Sequence, residues 1–513
     1  MRPRRGALAA VLLLTLTACA PASPEPQPQP QPRPGQAADR AEAVTPPLGT
    51  NGAAVPELRW TPCHGAFQCA SAPVPLSYRE PRGKTITLSV IKLPAKDPAH
   101  RAGTLFVNFG GPGTDGVGEL TRFGPHYPDE VRAHYDLVSF DPRGIGGSAP
   151  VSCPGADEPK AEGSPLRPDQ HDAFYAASAA VGKACAAGSG ELLDHLSTAN
   201  VARDLDLLRQ AAGDRELNYY GYSYGTYLGG TYANLFPGSV RSMVLDGTLD
   251  LVANATGKPG QEHAPVDVRA DVASAQQEEL EHFFAVCAAA GPKCAFSQGD
   301  QRRKFAGIFA KLSQGPVGGV TLASLLQTID SALYLSPRWK SLGQTLNSLA
   351  ASSAGAADTR PPVLDPYVPV HNGGFLAVQC VDSDNPQSPA DYDKLAASEQ
   401  ARQPYFGLAA VFSLTQCIGW PGHDADRYTG PWNRQRKNPI LVVNNRFDPA
   451  TPLSNARATA AELGDGHVLV VDGAGHTSLD VPSKCAWDAV ARYLGELKVP
   501  AEGAICAPDA QPF

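Results

Sequence analysis

Between residues 60 and 250, short apolar runs alternate with stretches whose apolar positions recur at helical spacing. The runs at 85–93, 103–109, 135–140, 217–220 and 242–245 read as strands, bounded by turn-forming residues. In 198–211, Val201, Leu205 and Leu208 recur with charges between them, the pattern of a surface helix packed on a sheet. Strand, helix, strand in alternation predicts a mostly parallel sheet with helices on both faces, an α/β architecture. After Thr248 the strand signal stops, and helical stretches follow at 275–290, 301–312, 322–333 and 341–351. Strands return only at 439–443 and 468–471, before a closing helix at 486–494. The expected organisation is a core over 51–250, a large helical cap inserted late over 251–435, and the rest of the core over 436–513. No internal repeat is evident.

The first fifty residues do not follow this pattern. Arg2, Arg4 and Arg5 precede an apolar run over 7–16, too short to span a bilayer, followed by small residues. This is the layout of a secretory signal peptide, expected over 1–18. Leu16-Thr17-Ala18-Cys19 resembles a bacterial lipobox, in which Cys19 becomes the acylated first residue of the mature chain. Residues 19–50 would then form a stiff proline-rich tether, with membrane attachment by the lipid anchor only.

Cysteine usage points the same way. Of 11 cysteines, setting aside Cys19 leaves an even set suited to disulfides in an oxidising compartment. Pairing of neighbours in chain order is the expectation, although sequence alone does not fix connectivity. The Cys63/Cys69 and Cys287/Cys294 spacings lack companion histidines at finger-like spacing, so no metal site is expected. The formal charge of -8 becomes more negative when a leader carrying three arginines and no acid is removed. Nucleic acid is therefore an improbable partner.

Against this frame one pentapeptide carries chemistry. Gly221-Tyr222-Ser223-Tyr224-Gly225 follows a strand and opens a helix, the context in which G-x-S-x-G builds a nucleophile elbow. A chain with 50 glycines contains such pentapeptides by chance, so the context decides. A serine hydroxyl needs a histidine to accept its proton and an acid to hold the imidazole in the right tautomer. In a parallel sheet these belong on loops beyond strand C-termini. Asp448 follows the 439–443 strand and His476 follows the 468–471 strand, in the chain order expected of an α/β-hydrolase. Asp246, at the end of the 242–245 strand, is a rival acid. Thr451 is expected to cap the following helix, with its hydroxyl as a possible brace for Asp448. For the oxyanion, Tyr224 supplies one backbone N–H, and the glycine loop 108–113 supplies a second, with Gly111 preferred over Gly110. The 141–148 segment lacks the lysine and spacing of a phosphate loop and reads as a structural turn. No cofactor is required.

With these residues assembled, the chain resembles the secreted tripeptidyl aminopeptidase and prolyl aminopeptidase-like branch of the α/β-hydrolases. The likeness runs from Trp60 to Cys506. It rests on Asn108-x-Gly-Gly-Pro-Gly113, Asp141-x-Arg-Gly-x-Gly-x-Ser148, Gly221 to Gly229, Asp448-Pro-x-Thr-Pro452 and Gly475-His476, with Cys380 and Cys485 also in pattern. The resemblance implies a serine exopeptidase acting on short peptides with a free N-terminus under a helical cap. An esterase or lipase on the same residues, or an inactive surface-binding lipoprotein, is the alternative. Selecting a free ammonium in a roofed pocket requires a carboxylate, because an unpaired buried charge costs several kcal/mol. Asp382, beside Cys380, is the leading candidate, with Asp384 and Glu278 behind it.

Overall fold

The computed structural model describes residues 49–156, 165–352 and 373–513. The leader, Cys19 and most of the tether lie outside the described residues.

Ten strands form one sheet: β1 (Thr61–Cys63), β2 (Phe67–Pro75), β3 (Thr85–Leu93), β4 (Gly103–Asn108), β5 (Tyr135–Phe140), β6 (Leu217–Tyr222), β7 (Val240–Asp246), β8 (Ile440–Phe447), β9 (Gly466–Ala474) and β10 (Ile505–Cys506). Their spatial order is β1-β2-β3-β5-β4-β6-β7-β8-β9-β10. The first three pairings across the sheet are antiparallel, and every pairing from β5–β4 onward is parallel. Side-chain alternation explains why both faces are covered. Met243, Leu245, Ile440 and Val442 enter one core, while Val244, Leu441 and Val443 enter the other.

β2 is missing from the strand pattern of the sequence because Pro73 and Pro75 interrupt it. The sheet tolerates them because β1 pairs only with Phe67 to Cys69, so the proline end of β2 has one free edge where an absent N–H costs nothing.

The Thr198–Ala211 helix departs from its surface reading: every residue from Thr198 to Arg209 is buried. Its charges are paired internally. Arg143 makes a bidentate contact with Asp204 at 2.7 and 2.8 Å and also donates to the carbonyls of Pro75, Leu76 and His195. Arg209 donates to Asp206 at 2.9 Å. The 141–148 segment is accordingly a structural junction. Asp141 accepts the N–H groups of Val117 and Gly147 (2.9 and 2.8 Å), and Arg143 ties the turn to the buried helix.

Between β7 and β8 the described residues form helices, among them Val272–Ala290, Gln301–Gln314, Leu322–Tyr334, Trp339–Ala351 and Gly373–Asp382. The first four share a separate apolar core around Phe283, Phe305, Ile329 and Trp339. The disulfides pair neighbours in chain order: Cys63–Cys69, Cys153–Cys185, Cys287–Cys294, Cys380–Cys417 and Cys485–Cys506. The sulfurs that sequence spacing offered to a metal are thus joined to each other. No helix among the described residues is long and apolar enough to cross a membrane.

Candidate active site

Ser223 sits between β6 and the Tyr224–Leu235 helix with φ 52° and ψ -123°, a backbone conformation rare for a residue with a side chain. Holding it there costs on the order of 1–3 kcal/mol, so the surroundings must impose it. They do so by close packing. A Cβ on Gly221 would come within 2.3 Å of the Gly225 carbonyl, so only glycine allows the strand to turn this sharply. The Ser223 N–H donates to the Asp246 carbonyl at 2.8 Å, tying the elbow to the end of β7.

The next residue, Gly247, brings the histidine to the same rim. A Cβ there would lie 3.3 Å from His476 Cε1, the carbon between the two ring nitrogens. His476 Nδ1 in turn meets Asp448 Oδ1 at 2.9 Å and Oδ2 at 3.0 Å, and both residues are buried. Asp448 is oriented by its own loop: Oδ1 accepts the N–H groups of Ala450 and Thr451, at 3.0 and 2.8 Å, and Oδ2 accepts the Thr451 hydroxyl at 2.9 Å. Thr451 is therefore the brace, and it does not cap the helix that follows. That helix begins after Pro452 with no side-chain cap.

The glycine loop after β4 lies against the elbow. Gly110 has φ +91°, and a Cβ on it would stand 2.8 Å from Ser223 Cβ and 3.3 Å from the Tyr224 nitrogen. Its own N–H is engaged by Asn108 Oδ1 at 3.0 Å. The Tyr224 amide opens a helix, an end of the backbone that favours negative charge.

Residues 105–290 match the family described as alpha/beta hydrolase fold, and residues 403–506 match the one described as TAP-like protein. The chain is 31% identical over 470 residues to the tripeptidyl aminopeptidase of Streptomyces lividans, spanning 87% of this chain and 84% of that one. It belongs to the tripeptidyl aminopeptidase family of α/β-hydrolases. Over 512 residues it is 28% identical to the serine protease Hip1 of Mycobacterium tuberculosis (91% and 93% covered). Over 490 residues it is 30% identical to the protein named carboxylesterase B of the same species (88% and 90% covered). The protein is a serine peptidase of this family, and its disulfides are consistent with an extracellular location.

In this serine peptidase the electrostatics follow from burial and charge. Burial pushes the His476 ring downward, but the charge and hydrogen bond of Asp448 push it up further, helped by Asp480 and Asp246, and the net shift is upward. Asp246, the rival acid, is fully buried and makes no contact with the ring nitrogens. It accepts from the Ser478 N–H at 3.0 Å, the Ser478 hydroxyl and the Tyr220 hydroxyl at 2.8 Å, and so supports the loop that follows His476. Burial raises it to about 6 despite those bonds.

Asp382 has a different job from the one expected of it. It is 2% exposed, and its carboxylate accepts the Thr198 N–H at 3.0 Å and the Thr198 hydroxyl at 2.6 Å. Thr198 opens the Thr198–Ala211 helix, so this carboxylate satisfies a helix N-terminus instead of facing a ligand. The disulfide beside it fixes a structural acid. Of the two acids ranked behind it, Asp384 pairs with Arg427 at 2.6 Å and Glu278 is exposed.

One supporting residue escaped the sequence reading. Asn445 Nδ2 donates to the carbonyls of Gly475 and Thr477, at 2.7 and 2.9 Å, clamping the His476 loop to β8. The available signal was a pair of asparagines ending an otherwise apolar strand, where a buried amide must have partners.

Proposed function

We propose that this protein is an exported serine exopeptidase that removes short fragments from peptides with a free N-terminus through an acyl-enzyme. The observation that carries the reading is the His476–Asp448 pair set beside a strained Ser223, in a chain that shares 31% identity with a tripeptidyl aminopeptidase. Ser223 Oγ attacks the scissile carbonyl. His476 accepts the proton and passes it to the leaving amine, and Asp448 holds the ring in the required tautomer. The N–H groups of Tyr224 and Gly111 stabilise the oxyanion, and no cofactor enters. The lipobox-like Cys19 and the proline-rich segment support attachment to the outer face of a membrane by acyl chains.

The test is a pool of peptides, half with acetylated N-termini, digested by the purified protein and read by mass spectrometry. Short fragments are expected from free N-termini only. Cleavage of acetylated or internal positions would overturn the exopeptidase reading. The relative named carboxylesterase B favours one second reading, an esterase on the same residues. Turnover of short acyl esters with no peptide cleaved would establish it.

The raised His476 sets the acid limb. The imidazole must be neutral to accept a proton, so activity falls as pH drops through its elevated pKa. With an uncharged acyl ester as substrate, the midpoint of kcat/KM is expected above the ordinary histidine value of 6.5. A midpoint at or below it would contradict the pairing with Asp448.

A further inference from the structure

The Leu322–Tyr334 helix ends on a residue that touches His476 twice. Its last turns are apolar and buried through Ile329, Ala332 and Leu333, and Pro337, which cannot continue a helix, follows shortly after. The final carbonyls of a helix have no partner within it, so other segments must supply donors. The buried Trp339 indole donates to the Ala332 carbonyl at 3.1 Å, and the His476 backbone N–H donates to the Tyr334 carbonyl at 3.0 Å.

The Tyr334 ring arrives with its carbonyl. It meets the His476 imidazole with centroids 5.1 Å apart and planes at 62°, an edge contact between aromatic rings. Gly475 makes the approach possible. A Cβ on it would stand 3.1 Å from the Tyr334 oxygen, at a φ of +127° that side chains rarely adopt. The imidazole is thus bounded on several sides: Asp448 holds Nδ1, Gly247 lies near Cε1 and the Tyr334 ring packs against the ring itself.

Asp448 alone does not fix the ring. An imidazole bonded through one nitrogen still tilts about that contact and carries Nε2 away from a serine hydroxyl. Proton transfer needs the heavy atoms within about 2.6–3.2 Å, and a misplacement of about 1 Å can cost on the order of a hundredfold in rate. Tyr334 occupies space that such a tilt requires, and it does so from a stiff support. The end of its helix is packed with Ile329, Leu333 and Trp339 in one apolar core.

Resting on the reading of His476 as the proton carrier, we propose that Tyr334 is a positioning residue for the reaction, its ring holding the His476 imidazole in register with Ser223. It acts through His476 and not through contact with the peptide.

The experiment compares full-length Tyr334→Ala, Tyr334→Leu, Tyr334→Phe and His476→Gln with the wild type, with rates taken per folded molecule from circular dichroism. The substrates are a short acyl ester and a peptide anilide with a free N-terminus, and the rate of fluorophosphonate labelling is followed by intact mass. Tyr334→Ala is expected to lower both kcat values and the labelling rate by about thirtyfold, with KM held within about threefold. Tyr334→Phe keeps the ring and is expected to recover most of that loss. Tyr334→Leu keeps bulk without the ring, and a loss in the same direction gives the readout should Tyr334→Ala fail to fold. A rise confined to the KM of the peptide would make Tyr334 a wall of the substrate site and overturn the proposal. So would a lowered thermal midpoint with kcat and labelling unchanged, or a loss in Tyr334→Phe equal to that in Tyr334→Ala. His476→Gln separates the two readings. Turnover at the wild-type rate there removes the proton-carrier role itself, whereas an inactive His476→Gln beside an unimpaired Tyr334→Ala removes only the role of Tyr334.

Discussion

Ser223→Ala is expected to lower kcat for peptide hydrolysis by about a millionfold, the scale on which a triad loses its nucleophile. The variant keeps the elbow glycines and removes only the oxygen. Its thermal midpoint is expected to stay level, because alanine keeps the Cβ at φ 52° and with it the backbone strain. Labelling by a fluorophosphonate, followed by intact mass, is the direct measurement. One adduct on the wild type and none on Ser223→Ala is the expected pair of results. An adduct retained by the variant would move the nucleophile elsewhere.

The second large effect belongs to the acid. Asp448→Asn is expected to reduce kcat by about ten-thousandfold, with KM little changed. The geometry states why: both carboxylate oxygens face His476 Nδ1, so an amide nitrogen placed there would present a donor to a donor. The ring would then carry its proton on Nε2, and Ser223 would lose its acceptor. Thr451 would keep one partner, since its hydroxyl and N–H also bind this group. Asp246→Asn provides the contrast. Its partners are Ser478 and Tyr220, so it is expected to lower the thermal midpoint while holding kcat within about tenfold. If Asp246→Asn proved the more damaging to kcat, the acid role would pass to Asp246.

The parts of this site that were legible in the sequence are those that follow strand ends. Ser223, Asp448 and His476 each stand where an apolar run stops and a loop of glycine, asparagine or aspartate begins, and parallel-sheet physics makes such loops neighbours in space. The sheet was legible for the same reason, apart from β2, which its prolines hide, and the very short β1 and β10. What misled was proximity along the chain. Asp382 was favoured for standing beside Cys380, yet a nearby disulfide says nothing about which way a carboxylate points, and this one points at a helix end. Glu278 was ranked behind it, although helical periodicity could have separated this exposed residue from the buried Glu279. Ala275, Glu279 and Phe283 recur at intervals of one turn along the buried face, whereas Glu278 falls on the outside. A carboxylate in register with alanine and phenylalanine is the anomaly to notice. The Thr198–Ala211 helix shows the converse difficulty, because its charges suggested solvent and their partners lie far away in sequence.

The hydrogen bond from the His476 backbone to the Tyr334 carbonyl has a mechanical implication. It pins one end of the Leu322–Tyr334 helix to the residue proposed to shuttle protons. Any displacement of that helix end is passed to the His476 backbone, so the two cannot be retuned independently. Substitutions that loosen the Leu322–Tyr334 helix should register in turnover, which makes that stretch a poor place to engineer without a toll on rate.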